Sequence, residues 1–242
     1  ERLLHKWIDY QGDKPVDQVT PKEIREYLRW LRTDYQPVRK NGKTHALSQK
    51  TIRNIWVTLS SFFKWAETEF ELDNPMDNLP APKIQMKEVD SFTKDEVEAL
   101  LTASAFTRKA DTETRLAFRM RRPTARRDRA ILLVLLDTGL RASELCALQR
   151  KNANFKTGRL EVAHGDEGGA KGGKGRVVYL GRIARKALWH YLLERDEEDD
   201  GYFGDPDEQP LFVTIEDRPM TPNALRFMVK RLGEKAGLKN VY

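Results

Sequence analysis

Three observations predict a mainly helical chain with one small β-hairpin, an α+β arrangement in two domains. Apolar residues recur at helical spacing behind two capping signatures, Thr20-Pro21-Lys22-Glu23 and Thr93-Lys94-Asp95-Glu96. Strand-like runs are confined to Arg159–Val162 and Arg176–Leu180, on either side of the glycine-rich stretch His164–Gly175. A polar, proline-bearing stretch around Asn78–Asp90 reads as a linker. The expected division is a domain over 1–80, a linker over 81–91 and a second domain over 92–242.

The elements follow in order. Thr20 caps, Pro21 takes the first helical position and Glu23 reaches back; Ile24, Leu28 and Leu31 then mark one face. Pro37 and Asn41-Gly42 interrupt that helix with a basic loop. Ser48 caps the next helix, whose broad apolar face carries Ile52, Ile55, Trp56, Leu59, Phe62 and Phe63 and runs to about Glu69. Asp73-Asn74-Pro75 ends it. Thr93 opens a helix with Val97, Leu100 and Leu101, and Arg126–Leu136 forms a helix that turns apolar before Thr138-Gly139 stops it. A short helix over Arg141–Leu148 and the hairpin follow. Helices resume at Arg182–Arg195 and, behind the Thr221 cap, at Pro222–Ala236, with an acidic surface loop over Asp196–Asp207 between them.

Composition narrows the function. Of 242 residues, 39% are hydrophobic and 33% charged, as in a globular chain with a very polar surface. The longest apolar run, Ala130–Leu136, is far short of the roughly 20 residues a membrane span needs. Nothing at the start resembles a secretory or transit peptide, and ERLLHKW reads as a helix entered partway, so the native start is expected upstream. The single cysteine, Cys146, excludes an internal disulfide and a cysteine metal site; among Leu145, Ala147 and Leu148 it reads as a small buried apolar residue. A reducing, cytoplasmic setting is expected, with no membrane partner and no small-molecule substrate.

Net charge is +6, and its distribution says more than its size. From Tyr35 to Ala66 there is no acid, while Arg39, Lys40, Lys43, Lys50, Arg53 and Lys64 supply positive charge. From Arg108 to Arg129, nine Lys or Arg stand against three acids. Such blocks neutralise phosphates and release counterions, although either alone also fits a solvated charged face.

The heptad Gly139-Leu-Arg141-Ala-Ser-Glu144-Leu145 is the most informative stretch. A glycine turn after a buried helix sets Arg141 at the start of the next, where a helix end favours phosphate. Glu144, three residues on, shares its face and can hold the guanidinium fork ready for a bidentate contact. An ordinary ion pair at a helix start is the bland alternative. A second stretch, Lys171-Gly-Gly-Lys174-Gly-Arg176-Val-Val-Tyr-Leu180, puts lysines on a flexible turn ahead of a strand.

Together, Asp137-Thr-Gly-Leu-Arg141-Ala-Ser-Glu144-Leu and the Lys171–Leu180 stretch closely resemble the first active-site box and the β-hairpin of tyrosine recombinases, the family of phage integrases and Xer-type resolvases. The N-terminal helices and the Phe92-Thr-Lys-Asp-Glu-Val-Glu-Ala-Leu opening resemble the same family's two domains. The resemblance implies an all-helical, SAM-like core-binding domain that clamps double-stranded DNA, then an integrase-type catalytic domain. It implies catalytic roles for Arg141 and Lys171, with Glu144 in support. It implies DNA contacts from Lys174 and Arg176, beside those expected of Arg39, Lys40, Lys43, Lys50 and Arg53. In the implied reaction a tyrosine attacks the scissile phosphate, Arg141 stabilises its charge and Lys171 protonates the leaving 5′ oxygen. No cofactor or metal is implied, and a homo-tetramer on DNA is.

The match departs from the family at one place. The family's His-x-x-Arg box and later tyrosine are missing: none of His5, His45, His164 and His190 has an arginine three residues on, and Tyr242 stands where that box would begin. The expectation is a recombinase truncated before its nucleophile. The alternative is a non-catalytic DNA-binding module on the same scaffold, which would not require Arg141 and Lys171 as a pair. An RNA-binding protein fits poorly, because Trp56, Phe62 and Phe63 fall at helical core spacing rather than on a stacking sheet. A type IB topoisomerase shares the chemistry but lacks the core-binding signature.

Overall fold

Two separate apolar clusters organise the chain, which the computed structural model describes over residues 2–39, 42, 44–85, 90–112, 115–163, 175–198 and 205–238. They belong to two units, Glu1–Asp90 and Ser91–Tyr242.

Unit 1 is built from helices α1 (Arg2–Gln11), α2 (Pro21–Thr33) and α3 (Gln49–Phe70). The Thr20 hydroxyl accepts from the Glu23 N–H at 3.4 Å, while the Glu23 carboxylate accepts from the Thr20 N–H at 2.8 Å, which fixes the start of α2. Ser48 caps α3 by accepting from the Thr51 N–H at 3.1 Å. Ile24, Tyr27 and Leu31 from α2 meet Ile55, Leu59 and Phe63 from α3, all buried. An aromatic chain running Trp7, Tyr27, Tyr10, Trp30, Tyr35 links α1 and α2, its successive ring centroids 4.8–5.1 Å apart. Met76 and Leu79 complete this core, Pro82 is buried, and the Arg53 guanidinium donates to the Pro82 carbonyl at 3.3 Å. The first part of the proline-bearing stretch therefore packs on unit 1.

Unit 2 opens with α4 (Lys94–Ala105), again behind a capping box, Thr93 with Glu96. The basic block that follows holds a two-stranded ribbon, β1 (Ala110–Thr112) against β2 (Arg115–Phe118), extended by a Phe106–Arg121 bridge. The sequence reading gave this block no structure, since its short runs of mixed charge lack the alternation that marks a half-buried strand. Helix α5 (Ala125–Thr138) ends on Gly139, whose φ of 62° reverses the chain into α6 (Ala142–Ala147). A three-stranded antiparallel sheet, ordered β3-β4-β5, follows from Ala153–Asn154, Arg159–Val162 and Arg176–Tyr179. Its β4–β5 register pairs Val162 with Arg176 and Arg159 with Tyr179. Two-residue β3 was too short to read from sequence.

Helix α7 (Arg182–Glu198) and helix α8 (Pro222–Lys235) close the unit. Helix α7 runs past the predicted end at Arg195: Asp196, assigned to the acidic loop, is helical and ion-paired to Arg150. Ile131, Val134, Leu145, Leu160, Leu188 and Leu211 are fully buried at the centre, each side chain contributing roughly 1.5–3 kcal/mol by burial. The Lys235 ammonium donates to the Ala103 carbonyl at 2.8 Å and to the Phe106 carbonyl, tying the end of α8 to the end of α4. Among the described residues, no helix is long and apolar enough to cross a membrane.

Candidate active site

The buried stretch of α5 fixes where Arg141 lies. Asp128 is fully buried at the start of that helix, paired with Arg122 and Arg127 at 2.9 Å each, and Thr124 donates to it at 3.0 Å. At the other end, Asp137 accepts from the Gly181 N–H, so both ends of the helix are tied down. Gly139 and the buried Leu140 then bring Arg141 to the N-cap of α6.

Glu144 is the centre of the site. Its side chain is 0% exposed, and its two oxygens accept four hydrogen bonds. The Arg141 N–H donates at 2.7 Å and the Arg141 Nη1 at 2.8 Å. The Arg176 fork donates through Nη1 at 2.7 Å and Nη2 at 2.8 Å, one nitrogen to each oxygen. A buried carboxylate is stable only when its lone pairs are filled in this way. The Arg176 guanidinium is the main cause that holds the Glu144 carboxyl down at about 2; Arg141 adds to it, and burial opposes both. The same contact pushes the Arg176 pKa up. The group as a whole is two cations on one anion. The Arg141 side chain stays 56% exposed, and its Nε and Nη2 have no hydrogen-bond partner among the described residues.

Arg176 has a place here that its expected DNA contact does not describe. It opens β5, where Val178, two residues on, packs against the core and Val177 and Tyr179 are exposed. The pleat therefore turns Arg176 to the same side as Val178, toward Glu144. Nothing in the sequence signals this, because Arg-Val-Val-Tyr is not an alternating run. Buried Asp128 was also missed; its only trace is a lone acid in the first turn of a helix beside basic neighbours.

The other predicted residues are scattered or not described. Lys171 and Lys174 belong to the stretch joining β4 to β5 and lie outside the described residues, as do Lys40, Lys43 and Tyr242. In unit 1, Lys50 and Arg53 are exposed on the first turns of α3, and Arg39 donates to the His45 carbonyl at 2.6 Å. The half-buried Cys146 thiol is pushed up to about 11 by burial, which leaves it protonated and unreactive at neutral pH. Among the described residues, no group of three or more His, Cys, Asp or Glu is placed to hold a metal ion.

The model of the phage integrase family matches residues 90–242. Tyrosine recombinase XerA of Thermococcus kodakarensis is 26% identical over 248 residues, covering 96% of this chain and 73% of the relative. Tyrosine recombinase XerC of Bacillus pumilus is 29% identical over 255 residues, covering 98% and 77%. Among solved structures, the Tn1549 transposon integrase in complex with transposon right end DNA superposes with a TM-score of 0.63 at 20% identity, covering 97% of this chain and 77% of that one. A lambda integrase dimer bound to a COC′ core site gives 0.64 at 18% identity, covering 99% and 71%. These two likenesses establish the fold.

Proposed function

Because this chain belongs to the phage integrase family of tyrosine recombinases, we propose that it supplies the DNA-binding and phosphate-gripping part of a site-specific recombination reaction. The observation that carries this reading is the Arg141–Glu144–Arg176 cluster. A guanidinium held in place before its ligand arrives needs no reorganisation when a phosphodiester docks, so its charge acts in full as negative charge builds on the phosphate. Arg141 is the gripping residue, because part of its fork is uncommitted. Glu144 and Arg176 position it and do not react. Lys171 protonates the leaving 5′ oxygen once a tyrosine has attacked, and the departing strand leaves a 3′-phosphotyrosyl link. The partner is double-stranded DNA, a reading supported by the likeness to the Tn1549 integrase solved in complex with transposon right end DNA, and the working assembly is a tetramer on DNA.

Unit 1 is read as the clamp, with Arg39, Lys40, Lys43, Lys50 and Arg53 along the backbone. The 242 residues contain no His-x-x-Arg sequence, so by themselves they bind duplex DNA without cutting it.

A nicked suicide duplex carrying the attachment site tests this on a denaturing gel. The 242-residue chain is expected to bind in a salt-sensitive manner and give no covalent adduct. A version that also carries a His-x-x-Arg box and a downstream tyrosine is expected to give a protease-sensitive adduct. In that version Arg141→Ala abolishes the adduct while DNA affinity stays within about tenfold. Normal cleavage by Arg141→Ala removes that residue from the mechanism. Binding with no adduct from either version favours the non-catalytic module, and no binding at all sinks the proposal.

A further inference from the structure

The second basic block of the sequence, Arg108–Arg129, has no part in the Arg141 cluster, and the fold gives it a place of its own. Arg121 stands just ahead of α5, while Arg126 and Arg129 lie on its first turns. Across from them, α7 presents Arg182 and Lys186. These five cations line a groove of about 740 Å³ between the two helices, floored by Ile183 and Ala187 and edged by His190. Among the described residues, Glu194 is the one carboxylate that pairs with any of them, 3.3 Å from Arg126. Arg121, Arg129, Arg182 and Lys186 have no ion pair among the described residues and are exposed. Like charges facing each other across a groove repel, and an anion with several charges in a row relieves that repulsion.

We infer that the α5/α7 groove is a second, sequence-independent contact for the phosphodiester backbone of DNA, separate from the Arg141 cluster. The inference rests on the reading that this chain handles duplex DNA. Four of the five cations are arginines, whose forks match phosphate oxygens in pairs. Backbone phosphates succeed one another at a regular spacing, so one strand laid along the groove meets α5 and α7 cations together. An acidic protein segment fits less well. A stable peptide contact is centred on an apolar anchor in a pocket, and here the floor offers only Ile183, itself 67% exposed, and one alanine. Backbone phosphates are the same whatever bases they join, hence the independence from sequence.

The test is photocrosslinking from inside the groove, using the 242-residue chain with Ile183→p-benzoylphenylalanine and a radiolabelled duplex. A protein–DNA adduct is expected. Combining it with Arg129→Glu and Lys186→Glu should lower the adduct yield about tenfold, as should raising the salt. Circular dichroism should be unchanged, because both positions are exposed. Duplex retention without an adduct at position 183 overturns this inference and leaves the proposed function standing. An adduct that joins two copies of the protein overturns it in favour of a protein contact. No retention of duplex by the unsubstituted chain overturns both.

Discussion

Arg176 is the residue on which the site depends most and whose task is least evident from its type. Arg176→Ala leaves a fully buried carboxylate with Arg141 alone, and is expected to destabilise unit 2 by about 2 kcal/mol in urea titration, since the lost pair was partly exposed. In a cleavage-competent version it should also lower the cleavage rate at saturating DNA while leaving DNA affinity nearly unchanged. Arg176→Lys should restore stability better than rate, because an ammonium keeps the charge but lacks the planar fork that sets one nitrogen on each oxygen of Glu144. Acid should act on the same carboxylate. Its pKa is depressed in the folded state, so it contributes stability that is complete above about 4.5 and lost as pH falls toward about 2. Glu23, held at about 2 chiefly by Lys14, loses its contribution to unit 1 over the same range. An unfolding series from pH 6 to pH 2 should therefore show the decline steepest below pH 4.5, and Glu144→Gln should flatten it. In unit 1, the Tyr27 hydroxyl is buried without a hydrogen-bond partner among the described residues, and burial pushes its pKa up. Tyr27→Phe removes that unsatisfied group and is expected to leave the melting temperature equal or higher.

The elements of this fold were legible where a local rule set them. The caps at Thr20, Ser48, Thr93 and Thr221 are each made by the side chain that the sequence offered for it. The turn at Gly139 was readable too, because an apolar helix that stops on glycine needs the left-handed conformation found there. What stayed hidden depends on distant partners. Arg176 reaches Glu144 across 32 positions, and no periodicity announces such a pair. Two-residue β3 exists because β4 is beside it, and the β1–β2 ribbon is held by the Phe106–Arg121 bridge and by the Thr107 N–H donating to Met120 at 2.8 Å. Gly158 is a sharper case of tertiary demand. It adopts φ of 78°, and a Cβ there would come within 2.7 Å of the Leu180 carbonyl oxygen. Its own carbonyl accepts from the Leu180 N–H at 2.7 Å. Gly158→Ala should therefore destabilise unit 2 by about 2 kcal/mol or more, read as a lowered urea midpoint at unchanged slope.

At the scale of the whole molecule, each unit closes its own core from its own residues. The segments 1–90 and 91–242, expressed separately, are expected to unfold cooperatively, each with a transition of its own; a fragment 1–90 that lacks one would show that unit 1 borrows stability from outside. Met76 and Leu79 matter here, because they complete the first core within a few residues of the end of α3. The order of synthesis then has a meaning. At elongation rates of about 5–20 residues per second the residues of unit 2 take roughly eight to thirty seconds to make, while a small helical unit folds in milliseconds or less. Unit 1 is thus finished on the ribosome while Arg141, Glu144 and Arg176 are still being added, and the nascent chain has its first unit in place before the cluster around Glu144 can form.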